Sequence, residues 1–146
     1  MWPNRYEDQL VSWYNLREIN SESDLEDCLL AVNNWWQFAP LSMHYLHWDT
    51  VETWPDPWDL LADGIYCNLA KALGASYTLR MMNRPDINDI SIAETAEGDN
   101  LVLVNQGKYI LNWAPNQLLN INSDKFKITR TMTDRAFAKK NKLRKI

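Results

Sequence analysis

The residue in this sequence best suited to chemistry is a thiol at the start of a helix. In Asp63-Gly64-Ile65-Tyr66-Cys67 the cysteine stands at or near the first turn of a helix whose pattern runs to Gly74, where the helix dipole favours a thiolate. A thiolate nucleophile also needs a base, ordinarily an imidazole, and both histidines, His44 and His47, precede it in the chain. The plainer reading is that a single Cys on a helix is a small packing residue. His44 and His47 lie three apart, near Asp49 and Glu52, and could begin a divalent-metal site. Lacking a third ligand of fixed geometry, they read instead as stacking locally, and neither a metal nor a cofactor is expected. Asp56, Asp59 and Asp63 could be paired carboxylates for acid–base work, but near a helix start they favour the dipole and face water. Cys28 and Cys67 both fall in helical patterns, unlike a disulfide framework, and read as reduced.

The elements that must position these groups follow from periodicity. Tyr6, Leu10, Trp13, Tyr14 and Arg17 suit one face of a helix ending near Glu18. Ser23 and Glu26 form a capping box ahead of Leu25, Cys28, Leu29, Val32 and Trp36, a second helix that stops before Pro40. Prolines 40, 55 and 57 break the aromatic connector that follows. Asp56-Pro57 is an N-cap with proline at the first helical position, and Gly64 breaks that short helix. Ile65, Leu69, Ala72 and Leu73 form another stripe ending at Gly74, after which Ser76–Met82 alternates as a half-buried strand would. Three strands follow at Asp89–Ala96, Leu101–Val104 and Tyr109–Trp113, joined by turn-rich tetrapeptides into an antiparallel meander, with a weaker strand at Lys125–Ile128. Helices first and strands afterwards predict an α+β fold, N-terminal helices packed on a C-terminal antiparallel sheet. The four glycines, at 64, 74, 98 and 107, form no phosphate-binding signature.

The run Cys67-Asn68-Leu69-Ala70-Lys71-Ala72-Leu73-Gly74-Ala75-Ser76-Tyr77-Thr78 resembles the core of papain/transglutaminase-like proteins, where a helix begins at the nucleophilic Cys, ends at Leu-Gly and leads into a strand. The later order is also similar: Asp99-Asn100-Leu101-Val102-Leu103-Val104, then Gln106-Gly107-Lys108, then Tyr109-Ile110-Leu111-Asn112-Trp113-Ala114-Pro115. The resemblance covers residues 60–116 and implies that the base would stand at Asp99 or Asn100 and its orienting acid at Asn112 or a neighbour. Neither substitute is an imidazole, so the resemblance implies a degenerate scaffold whose Cys67 is without catalytic partners. Trp54-Pro55-Asp56-Pro57-Trp58-Asp59-Leu60-Leu61, with Tyr66-Cys67 and Ala72-Leu73-Gly74, is further similar to small uncharacterised proteins of tailed bacteriophages. That likeness implies a virion or assembly component located in the particle or the host cytoplasm.

At 146 residues the chain fits one domain that buries roughly two thirds of its unfolded surface. With 46% apolar and 23% charged residues, disorder and fibrous repeats are poor explanations. No apolar run is long enough to span a bilayer and the N-terminus lacks the features of a signal peptide, so neither a membrane partner nor secretion is expected. Eight Trp in this length exceed what a small core easily encloses, so some, Trp54 and Trp58 among them, are expected half exposed as a binding surface. Charge is polarised: residues 1–124 hold 18 acids against 6 Lys/Arg, whereas 125–146 hold 9 Lys/Arg and Asp134 alone. The expected division is therefore a domain over 1–124 and a basic arm over 125–146, with a short helix capped by Thr133 and Lys139, Lys140, Arg144 and Lys145 as binding groups. That arm is read as solvated, as docking into an acidic groove of a neighbouring subunit, or, least favoured by the acidic body, as touching nucleic acid. The expected function is a non-catalytic structural or assembly component of a tailed-phage particle that binds other protein subunits; the alternative is a thiol-dependent peptidase or acyl transferase using Cys67.

Overall fold

The computed structural model describes residues 2–138. Their elements are α1 (Tyr6–Ile19), α2 (Leu25–Gln37), a 3₁₀ segment (Trp48–Thr53), α3 (Pro57–Asp63), α4 (Asn68–Met82), β1 (Ile90–Thr95), β2 (Asn100–Val104), β3 (Tyr109–Ala114), β4 (Gln117–Leu119), β5 (Ile128–Thr133) and α5 (Asp134–Ala138). Helices precede a five-stranded antiparallel sheet of order β4-β3-β2-β1-β5, the α+β arrangement that the element order predicts.

Helix α4 is the axis of the molecule, packed between α2 and the sheet. Every residue from Leu69 to Leu79 is buried, and here the sequence expectation fails. The helix does not stop at Gly74, and Ser76–Met82 is its second half rather than a strand. Alternation of polar and apolar residues mimics a strand only if the polar ones face water. Here they are internal: the Ser76 hydroxyl donates to the Ala72 carbonyl at 2.9 Å and that of Thr78 to the Gly74 carbonyl at 2.7 Å, each one turn back. Termination falls to Asn83, in the left-handed conformation at φ 51°, which Asn tolerates.

Gly74 serves close approach. A Cβ at that position would lie 2.5 Å from the Trp36 ring, so α2 and α4 meet through an indole laid on bare backbone. The same contact satisfies polar groups. The Trp13 and Trp36 indoles donate to Thr78 Oγ1 at 2.9 and 3.0 Å, so this hydroxyl accepts twice and donates once, its full capacity.

Asp56 caps α3 as its Asp-Pro pair predicts, accepting the Asp59 N–H at 2.8 Å, and Gly64 ends that helix at φ 80°. Ser23 does not cap α2: Asp24 is the N-cap residue, and the Ser23 hydroxyl donates to the Asn20 carbonyl instead. The turn between α1 and α2 is held from below by Arg84, whose buried guanidinium donates to the Asn20 and Ser23 carbonyls at 2.7 and 2.6 Å and grips Asp86.

At the C-terminus the expected boundary at 124 and strand at Lys125–Ile128 are corrected. β5 lies further on and pairs with β1 at the sheet edge, because Lys125 and Lys127 are exposed whereas Ile128 and Met132 are half-buried. Thr133 closes β5 and α5 follows at once. Phe137 is 1% exposed and packs on Trp54 and Tyr77 at ring distances of 5.8 and 5.9 Å. Residues 128–137 therefore belong to the fold and not to a separate arm. Lys139, Lys140, Arg144 and Lys145 lie outside the described residues. No helix among the described residues is long and apolar enough to cross a membrane.

Candidate functional site

Cys67 is the N-cap residue of α4, the position its spacing predicts. It is a free thiol, 1% exposed and enclosed by the core. The two imidazoles do not hydrogen-bond its sulfur; exposed on the connector, they meet each other edge-on, ring centroids 4.8 Å apart. Among the described residues no three His, Cys, Asp or Glu side chains gather as a metal site requires.

Around the first turn of α4 the chain assembles carboxamides. Asn100 opens β2, and its N–H donates to Asn68 Oδ1 at 2.7 Å; its own Oδ1 accepts the Trp48 indole at 2.8 Å. Asn112 sits on β3 at φ 72°, where the register with β4 shifts between Ile110 and Ala114. This backbone, uncommon for a residue other than Gly but open to Asn, lets the buried Asn112 carboxamide donate to the Asn100 carbonyl at 2.8 Å and the Asn68 carbonyl at 3.2 Å. Gln37 donates to Asn112 Oδ1 at 2.6 Å, and the Asn112 N–H is taken by Asn33 Oδ1 at 2.7 Å. The two positions that the resemblance assigns to base and acid are thus joined to each other and to Asn68, the residue after Cys67. They are also engaged: each carboxamide bonds on both its oxygen and its nitrogen side.

Carboxamides neither take nor release protons near neutrality, so the cluster positions elements and does not transfer protons. One ionisable group lies at its edge. Lys71 is 6% exposed, its ammonium donates to the Gln37 carbonyl at 3.0 Å, and burial pushes its pKa down. Sequence reasoning missed Lys71; the available signal is its place four residues after Cys67, on the same helical face. It also missed Asn33, Gln37 and Trp48, which arrive from α2 and the 3₁₀ segment and share no local motif with Cys67.

In front of α4 the connector forms a shallow groove of about 570 Å³ lined by Ser42, Met43, His44, Tyr45, Asp63 and Ile65. It is positioned by a parallel bridge between Leu41 and Tyr66, in which Ser42 N–H donates to the Tyr66 carbonyl and Tyr66 N–H to the Pro40 carbonyl. Tyr45 donates to Asp63 Oδ2 at 3.2 Å. Burial, helped by the Asp63 charge, raises the Tyr45 pKa well above the usual phenol range. Desolvation raises that of Asp63, partly offset by the Tyr45 hydrogen bond. Two apolar side chains of the lining are open, Met43 at 90% and Ile65 at 54%, with Leu41 just before Ser42 in the chain at 70%.

The tryptophans do not supply that surface. Trp54 is buried, its indole donating to the His47 carbonyl at 2.9 Å beneath Phe137, which corrects its assignment as a binding residue. Trp58 is half-buried against Trp13. Of the eight, Trp13, Trp36, Trp48 and Trp54 are buried and the others half-buried. They fit because five indoles find acceptors inside the fold, leaving Trp2 Nε1 buried without one.

No protein-family model matches this sequence, and no curated protein matches it significantly.

Proposed function

We propose that this protein is a non-catalytic assembly subunit of a tailed-phage particle, of the neck, tail or baseplate kind, joined to its neighbours through the Met43–Ile65 groove. The observation carrying the reading is that groove: apolar side chains 54–90% exposed around the Asp63 carboxyl. Its occupant is a second copy's basic run, Lys139 to Ile146, which pairs Lys139, Lys140, Arg144 and Lys145 with Leu143 and Ile146 and so complements a groove both apolar and acidic. Such a head-to-tail contact joins two different surfaces and propagates into rings or filaments. Enclosure of Cys67 and the engagement of Asn100 and Asn112 support the non-catalytic part. The likeness of the Trp54–Leu61 block to tailed-phage proteins supports the particle.

Sedimentation velocity tests it. The full chain should self-associate at low salt, and both Met43→Lys and a chain ending at Ala138 should sediment as monomers with unchanged circular dichroism. A full chain that stays monomeric to about 100 μM, a range in which weak specific contacts already form, would sink the interface. Mass spectrometry of purified particles tests the location separately. Because Cys67 is an N-cap thiol, iodoacetamide labelling decides the enzymatic alternative: modification faster than a free thiol at neutral pH would favour it.

A further inference from the structure

At the other end of α4 lies a second cavity, a cleft of about 580 Å³ between the end of that helix, the approach to β1 and the start of α5. With 15 residues, α4 spans about 22 Å, so the cleft is remote from Cys67 and independent of the assembly reading. Leu79, Ile87 and Ile90 give it an apolar floor, and Arg80, Asn83 and Arg135 stand on its rim.

The carboxylates at the cleft are already engaged. Asp134, its side chain 11% exposed, takes Arg80 Nη1 at 2.7 Å, and Asp89 Oδ1 accepts the Gln106 N–H at 2.9 Å. Arg84 is held by Asp86 and two carbonyls. Cationic donors remain. The Arg80 side chain is 49% exposed and engages Asp134 through Nη1, leaving the rest of its fork open, and the exposed Arg135 makes no ion pair among the described residues. A guanidinium offers five N–H groups in a planar fork matched to a carboxylate. Two partly open guanidiniums in a cleft with apolar lining suit one carboxylate carried next to an apolar group. The carboxylates of Asp86, Asp89 and Asp134 close by, with the carbonyl end of α4, limit the negative charge that the cleft takes, which sets a single carboxylate ahead of a polyanion such as nucleic acid.

We infer that this cleft binds an acidic side chain of a partner protein, a Glu or Asp flanked by an apolar residue. The test is a ¹H–¹⁵N NMR titration of the full chain with three probes: acetyl-Leu-Glu-Leu-amide, its Gln counterpart and a short oligothymidylate. The Glu peptide should shift amides of Asn83–Ile90 and Thr133–Arg135, and the Gln peptide should bind about tenfold more weakly, as loss of a charge-assisted contact implies. Arg135→Gln, at an exposed position, should weaken the Glu peptide severalfold and leave the remaining spectrum in place. Equal binding of the Glu and Gln peptides, tighter binding of the oligothymidylate at these amides, or no shift there with millimolar peptide each overturns the inference.

Discussion

Lys71 is the residue least at home in its surroundings: a buried ammonium hydrogen-bonded to a neutral carbonyl. Its folded-state pKa is pushed below the ordinary 10.5 by desolvation, so between the two values the folded chain binds fewer protons than the unfolded one and stability rises with pH. Below that window the full penalty applies. Lys71→Met is therefore expected to stabilise the protein by about 1–2 kcal/mol at neutral pH, with the advantage shrinking as pH approaches 10.5. Urea denaturation at neutral and alkaline pH measures both, and a Met variant less stable at neutral pH would contradict the account. At this scale the sequence was only partly legible. Cys67 could be placed at a helix start because its neighbours carry the apolar stripe, and Asn100 and Asn112 could be matched through strand order. The inward turn of Asn112 depends on a positive φ and a register shift, which no local pattern announces.

At the scale of elements, the α2–α4 contact rests on the absence of a side chain at Gly74. Elsewhere in a helix interior Gly→Ala stabilises by about 1 kcal/mol. Gly74→Ala is expected to do the reverse, costing about 1–3 kcal/mol net, because the new methyl meets the rigid Trp36 ring. Thermal unfolding checks the sign, and a raised melting temperature would show that the helices part freely. The misreading of α4 has the same origin. Gly74 resembles a helix end, and Ser76 and Thr78 resemble the wet side of a strand, when tertiary packing is left out of account. By contrast, the α3 boundaries were legible from Asp56, Pro57 and Gly64, since capping is local chemistry between residues three apart. β5 was misplaced because its exposed Thr129, Arg130 and Thr131 carry little apolar periodicity. Arg130 instead anchors it, pairing with Glu94 at 2.7 Å and stacking over Trp48 at 4.6 Å.

For the whole molecule, the charge polarity of the chain does not coincide with its architecture. The change of sign falls near 124, yet the fold continues to α5. Truncation after Asp124 is expected to abolish cooperative unfolding, since it bares β1 and removes Phe137 from Trp54 and Tyr77. A chain ending at Ala138 should keep its near-ultraviolet circular dichroism, and retention of that signal by the shorter chain would make β5 dispensable.

Pairing the last strand with the first has a temporal side. β1, β2 and β3 precede β5 in the chain, so a sheet that forms before β5 docks has one flank of β1 uncovered. An uncovered strand flank is what another nascent chain could seize. Neighbouring polypeptides would then compete with each chain's own β5 for that flank of β1.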